Sequence, residues 1–109
     1  MLLVNNIEID TDTEGYLTNL NDWSSDVALA IASNEGIELT TAHWEIIEVL
    51  KNFYETYETS PSARPLAKAV KAALGPEKSS SIYLMSLFPE SPAKQAAKIA
   101  GLPRPANCF

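Results

Sequence analysis

The residue with the clearest chemical potential is Cys108, the only cysteine among 109 residues and the second-to-last position. A thiolate is a strong nucleophile, and it can attack a persulfide on another protein and take the outer sulfur atom. An ordinary thiol has a pKa near 8.5, so roughly 3% is ionised at pH 7. Arg104 and the chain-terminal carboxylate both lie close to Cys108 in sequence, and they have opposing effects on the pKa of its thiol. The sequence therefore predicts a thiol that is activated by its partners, or else an incidental surface thiol.

The composition excludes most other kinds of site. One cysteine forms no internal disulfide, which fits a reducing compartment, and it excludes zinc sites built on several cysteines. His43 is the only histidine, and we interpret it as a structural, partly buried residue. We therefore expect no metal and no cofactor. No apolar run approaches the roughly 18 residues that span a bilayer, and residues 1–6 lack the basic and apolar regions expected of a signal peptide. We therefore expect a cytoplasmic protein without membrane association.

The charges are unevenly distributed along the chain. Residues 1–50 carry ten acidic and no Lys or Arg side chains, whereas all eight basic residues lie from Lys51 onward, although the net charge is −6. Arg64, Lys68 and Lys71 are four and three residues apart and share a helix face, which Lys78 extends if the helix continues. This face is either a docking surface for an acidic partner or for tRNA phosphates, or an ordinary solvated surface.

A second group of basic residues precedes the cysteine. Lys94 and Lys98 lie four residues apart on the last predicted helix. One interpretation is that they attract an anionic persulfide or an acidic surface of a partner, and the other is that they complement the helix dipole. Arg104 lies between Pro103 and Pro105, which we expect to hold it away from the body. It is a candidate anchor for a partner carboxylate.

The elements that must position these residues are mainly helices. Asn5 and Asn6 tolerate the positive φ of a tight turn, which predicts a short β-hairpin over residues 2–9. Apolar spacing and capping residues predict a first helix that ends near Gly36. Four further helices are predicted over about 41–58, 62–74, 79–87 and 91–100. The longest helix should bury one stripe: Trp44, Ile47, Leu50, Tyr54 and Tyr57, seconded by Ile46 and Phe53.

The chain after Gly101 should leave the body. Two prolines within three residues forbid a helix and favour extended geometry, in which eight residues reach about 26 Å. We therefore predict one domain with a helical body over residues 1–101 and a cysteine-bearing arm over residues 102–109. The fold class is mainly α: a small orthogonal helical bundle with a short N-terminal hairpin and an extended, flexible C-terminal arm.

This arm closely resembles that of the DsrC/TusE family. The residues that carry the resemblance most specifically are Gly101-Leu102-Pro103-Arg104-Pro105-Ala106-Asn107-Cys108-Phe109. Similar stretches also occur at residues 12–17, 42–44, 59–61, 87–89 and 92–96. DsrC proteins with two arm cysteines carry the second one eleven residues before the penultimate position, where this chain has Ala97. The departure points to the single-cysteine, TusE-like branch.

The resemblance implies a fold, an activity and partners. The implied fold is a small helical bundle with an N-terminal hairpin, and the implied active residue is Cys108, as a persulfide carrier. The implied donor is a TusBCD-type relay complex. The implied acceptor is an MnmA-type thiouridylase that makes wobble 2-thiouridine, with tRNA contacted through that complex.

Two alternatives stay open. A single-cysteine protein of another sulfur pathway would resemble the family equally well. The predicted helices over 41–58 and 62–74 also suggest a helix-turn-helix regulator that binds DNA, but that alternative gives no reason for the arm or its cysteine.

Overall fold

The computed structural model describes residues 2–105, and its elements follow the predicted order. Within that range the chain forms two short strands, five α-helices and two 3₁₀ helices, the latter at Leu20–Asp22 and Pro76–Ser79. The strands and α-helices are β1 (Leu2–Val4), β2 (Ile7–Ile9), α1 (Ser25–Asn34), α2 (Thr41–Tyr57), α3 (Ala63–Leu74), α4 (Ser81–Leu87) and α5 (Pro92–Ile99). The predicted fold, a helical bundle with an N-terminal hairpin, is confirmed.

The hairpin turns at the two asparagines, as predicted. Asn5 and Asn6 have φ values of 51° and 66°, the positive-φ pair that a type I′ turn requires. The strands pair antiparallel with Leu2 opposite Ile9. Leu2 and Val4 are buried, so one face of β1 joins the core.

Helix ends follow local chemistry. The Ser24 hydroxyl accepts a hydrogen bond from the amide of Val27 at the start of α1. Pro65 lies in the first turn of α3 and Pro92 is the first residue of α5, where a missing amide costs no intrahelical bond. These boundaries were therefore predictable to within about two residues.

The core forms where α2 and α5 pack together and against α1 and α3. Its largest fully buried aliphatic side chains are Ile46, Ile47, Leu50, Leu66, Val70 and Ile99. The predicted stripe of α2 is correct as far as Leu50, and Tyr54 is half-buried against the core. Tyr57 is 63% exposed, so its predicted burial is wrong. The last turn of α2 extends past the core, although its helical periodicity continues.

Candidate functional site at the root of the arm

The predicted active residue, Cys108, lies outside the described residues. The structure does describe residues 102–105, which lead to it and which we call the arm root. The contacts of the arm root determine where the chain leaves the body. They are therefore the part of the site whose geometry the structure shows.

The arm root begins with a sharp reversal after α5. The amide of Leu102 donates to the carbonyl of Ala97 at 2.9 Å, and the amide of Gly101 donates to the carbonyl of Lys98 at 3.1 Å. Gly101 has a φ of 73°. Together these bonds form a left-handed helix end that favours glycine. Leu102 is only 5% exposed, so the first residue of the predicted arm belongs to the core.

Trp23 supports this reversal from the opposite side. Its indole Nε1 donates to the carbonyl of Ile99 at 2.9 Å, satisfying a group that the end of α5 would otherwise leave unpaired. A Cβ atom added to Gly101 would overlap the Trp23 side chain. Glycine is thus required at position 101 by both backbone geometry and space.

Two side chains from distant parts of the sequence bind the next residues of the arm root. The Ser60 hydroxyl donates to the carbonyl of Pro103 at 2.5 Å. Nη1 of Arg104 donates to Oε1 of Glu14 at 2.6 Å. The expectation that the prolines hold Arg104 away from the body is therefore wrong. Prolines restrict the φ angles of a segment, but they do not set the direction in which the segment lies.

Glu14 lies in a hydrogen-bonded turn. Oδ1 of Asp12 accepts from the amides of Glu14 and Tyr16, at 2.8 and 3.0 Å. The Tyr16 ring is buried, and its hydroxyl donates to the carbonyl of Lys94 at 3.3 Å. The turn thus sets the backbone position of Glu14 relative to α5, and its carboxylate reaches Arg104 from there.

Sequence reasoning missed Glu14, Ser60 and Trp23 as residues that position the arm. The one signal for them was the resemblance, because residues 12–17 and 59–61 are among the stretches that carry it. Their role was not readable locally, since Glu14 and Arg104 are 90 positions apart.

The two predicted lysines of α5 differ in their surroundings. Nζ of Lys98 lies 3.3 Å from Oε1 of Glu35 and 5.3 Å from the centroid of the Tyr16 ring. Its charge is therefore partly compensated by the body. Lys94 is half-buried and makes no ion pair with any residue of the range 2–105. A role for either lysine toward a persulfide stays a prediction.

Lys51 is a cation near the arm root that the sequence reasoning did not single out. Its Nζ lies 3.3 Å from the centroid of the Trp23 ring, a cation–π contact. Burial lowers the pKa of Lys51, and the neighbouring carboxylates of Glu48 and Glu55 oppose that shift. Lys51, Trp23 and Leu102 line a cleft of about 250 Å³ beside the arm root.

His43 has no free ring nitrogen for catalysis. Its Nε2 lies 2.8 Å from the carbonyl of Leu87, which only accepts, so Nε2 carries the proton. Its Nδ1 then accepts from the amide of Thr40 at 3.0 Å and from the Thr40 hydroxyl at 2.8 Å. The ring is buried and meets Phe88 edge-on. The prediction of a structural histidine is confirmed. The His43 ring accepts a hydrogen bond from the Thr40 amide and so caps the start of α2.

The predicted basic face of α3 is present. Arg64, Lys68 and Lys71 are exposed and form no ion pair with any other described residue. Lys78 is not equivalent to them, because its Nζ lies 2.8 Å from Oε1 of Glu45. That hydrogen bond raises the pKa of Lys78. A docking role for the face stays a prediction.

Two further findings concern residues 2–105 alone. No group of three or more His, Cys, Asp or Glu side chains in this range is arranged to hold a metal ion. None of the helices in it combines the length and the apolar character needed to cross a membrane.

Comparison with known proteins gives a consistent result. Residues 3–109 match the family model described as DsrC like protein. The sulfurtransferase TusE homolog of Haemophilus influenzae is 55% identical over 109 residues, which cover 100% of both chains. Sulfurtransferase TusE of Sodalis glossinidius is 56% identical over 105 residues, covering 96% of this chain and 97% of the relative. Sulfurtransferase TusE of Escherichia coli is 51% identical over 109 residues, with both chains covered completely.

Solved structures agree with the sequence relatives. The NMR structure of Allochromatium vinosum DsrC superposes with a TM-score of 0.89 at 49% identity, covering 99% of this chain and 96% of that one. The oxidized gamma-subunit of the dissimilatory sulfite reductase (DsrC) from Archaeoglobus fulgidus gives a TM-score of 0.86 at 36% identity, covering 99% and 98%.

Proposed function

Because this chain belongs to the DsrC-like protein family, we propose that it is a sulfur carrier that holds sulfur as a persulfide on Cys108. The observation that carries the proposal is the full-length similarity to sulfurtransferases named TusE, at 51–56% identity. The single arm cysteine supplies the nucleophile that such a transferase needs.

The chemistry of the proposed step needs no oxidant or reductant. The Cys108 thiolate attacks the outer sulfur of a persulfide on the donor protein. A new bond forms between Sγ of Cys108 and that sulfur, while the bond from the outer sulfur to the donor cysteine breaks. The donor cysteine leaves as a thiolate and takes up the proton that the Cys108 thiol released. Sulfur then leaves Cys108 by the same type of attack from an acceptor.

The contacts of the arm root support this role. Gly101 and Leu102 are fixed to α5, and Ser60 and Glu14 bind Pro103 and Arg104. Cys108 is three residues beyond Pro105, and three residues span at most about 10 Å. We infer that the arm root presents the carrier thiol to its partners from a defined position on the body.

The partners of this carrier are the finer part of the proposal. We infer a TusBCD-type relay complex as the donor and an MnmA-type thiouridylase as the acceptor, in the cytoplasm. Contact with tRNA would arise within the complex with the thiouridylase. Arg104, Pro103, Pro105, Lys94 and Lys98 are the proposed partner-binding residues of the arm and the adjacent helix.

The carrier step is tested by mass spectrometry of the full chain. After incubation with the persulfidated donor complex, the wild-type protein should gain one sulfur atom on Cys108. Cys108→Ser should gain none and should unfold at the same denaturant concentration as the wild type. Sulfur uptake by Cys108→Ser would contradict the proposal.

The pathway is tested in cells that lack this protein. Wobble 2-thiouridine in tRNA should fall strongly and should return with the wild-type gene but not with Cys108→Ser. The second candidate is a role in another sulfur pathway, which the 49% identity to Allochromatium vinosum DsrC favours. Unchanged thiouridine together with normal sulfur uptake in vitro would select that candidate.

A further inference from the structure

The end of α2 carries an aromatic pair that is partly exposed. The rings of Phe53 and Tyr57 lie 4.6 Å apart between centroids, and Tyr57 is 63% exposed. Single exposed hydrophobic side chains are common on protein surfaces and need no explanation. This pair is different because it forms one wall of a continuous depression.

The depression runs between α2 and α3, and we call it the α2–α3 groove. Phe53 and Tyr57 face Pro65, Ala69 and Ala72 across it, at the end nearest the connecting turn. Toward the other end, Val49 faces Ala73. The small alanine side chains leave two adjoining hollows of about 260 and 380 Å³. Hollows between paired helices suit the apolar side chains of a third helix.

The α3 rim of the groove is positively charged. Lys68 lines the groove on α3, and Arg64 and Lys71 lie next to it on the helix surface at four and three residues' distance. These three exposed cations are unpaired among the described residues. On α2 the rim residue is the uncharged Asn52, whereas Glu55 lines the cleft that also contains Lys51 and Trp23.

We propose that the α2–α3 groove docks an acidic amphipathic helix of the protein that donates sulfur to Cys108. This inference rests on the proposed function. The apolar side of the docked helix would cover Phe53 and Tyr57, and its carboxylates would face Arg64, Lys68 and Lys71. Since only the α3 rim is charged, the docked helix would turn its acidic side toward α3.

Charge also argues against tRNA as the occupant. The chain has a net charge of −6. Three exposed cations on an acidic chain would make only weak, salt-sensitive contacts with tRNA phosphates. An enzyme that binds tRNA must itself present a basic surface, so an acidic helix fits the sulfur donor better than the tRNA-binding acceptor.

The test separates docking from the chemistry of the thiol. Sulfur transfer to Cys108 is measured from two sources: the persulfidated donor complex of the proposed relay, and sodium tetrasulfide, which needs no docking. Ala72→Glu places a carboxylate in the groove opposite Phe53. It should raise KM for the donor complex about thirtyfold, which corresponds to the loss of one interface hot spot. Its rate with tetrasulfide should equal that of the wild type.

The matched control is Leu29→Glu, an equal change of charge at an exposed apolar residue of α1 outside the groove. It should leave KM for the donor complex unchanged. Lys68→Ala should raise KM less than Ala72→Glu does, and it should weaken the dependence of KM on salt. Circular dichroism checks that each variant keeps its helix content.

The outcomes distinguish the two proposals. If the wild type accepts sulfur from the donor complex and Ala72→Glu has the same KM as Leu29→Glu, the docking inference is overturned and the carrier function stands. If tetrasulfide loads Cys108 but the donor complex does not, both the donor assignment and the docking inference are wrong. A tRNA mobility shift that Lys68→Ala abolishes, with an unchanged KM for the donor complex, would also overturn the inference in favour of nucleic acid.

Discussion

The arm root and the α2–α3 groove use similar residues in opposite ways. At the arm root, an apolar side chain, Leu102, is buried and a cation, Arg104, is bound to Glu14. In the groove, Tyr57 is exposed and Lys68 has no ionic partner among residues 2–105. Leu102 and Arg104 thus have contacts within the chain, whereas the groove leaves apolar surface and positive charge that, as we propose, a docked helix covers. Residue type alone does not distinguish a side chain with partners in the chain from one that is left exposed, because the outcome depends on which residues the fold places opposite it.

The largest effect on this contrast should come from Gly101→Ala, which combines a left-handed backbone with overlap on Trp23. We expect a loss of unfolding free energy of about 2–4 kcal/mol. Gly36→Ala is a matched control, since Gly36 also has a φ of 73° but a Cβ atom there would meet no described atom within 4 Å. That control should cost about 1 kcal/mol. Equal costs in urea denaturation would show that the contact with Trp23 does not constrain the arm root.

Leu102→Ala should have the next largest effect, because it removes a buried side chain from the core. We expect a loss of about 2–3 kcal/mol in thermal or chemical unfolding. Leu29→Ala, at a site that is 48% exposed, should change stability by less than about 0.5 kcal/mol. Equal unfolding free energies for the two variants would show that the Leu102 side chain does not contribute to the core.

Ser60→Ala should have a smaller effect. It removes the hydroxyl that donates to the carbonyl of Pro103, and a single hydrogen bond of this kind contributes about 1 kcal/mol. Ser62→Ala, two residues further on, is the control, since that hydroxyl makes no hydrogen bond within residues 2–105. Proton–nitrogen NMR should show shifts at Arg104 in the first variant alone.

The pair of Glu14 and Arg104 should contribute least to stability. Both side chains are about half exposed, at 46% and 52%, and such surface pairs contribute less than about 1 kcal/mol. A double-mutant cycle with Glu14→Gln and Arg104→Gln at low and high salt measures the coupling energy. We expect a small favourable value that disappears at high salt. A coupling that salt leaves unchanged would indicate that the pair is shielded from solvent.

Much of the fold was predictable because its signals are local. Asn5 and Asn6 set the hairpin turn, Ser24 and Pro92 mark helix starts, and Gly101 marks the end of α5. Each of these residues acts within a few positions of itself, through φ preferences or capping bonds. Sequence inspection therefore identified every α-helix of residues 2–105 in the correct order.

The contacts of the site were less predictable because they are long-range. The hydrogen bond from Ser60 to Pro103 and the pairing of Lys98 with Glu35 join residues 43 and 63 positions apart. No local pattern encodes such pairings. The exposure of Tyr57 has a related cause, since helical periodicity shows which face a residue is on but not where the neighbouring core ends.

The central claim is that sulfur both enters and leaves through Cys108, and a single-turnover transfer tests it most directly. The protein is loaded with ³⁵S on Cys108, separated from its donor, and mixed with an MnmA-type thiouridylase and unmodified tRNA under conditions that support thiolation. The account predicts that label leaves Cys108 and appears in 2-thiouridine in equal amounts. Label that stays on Cys108 while the thiouridylase remains active with another sulfur source would contradict it.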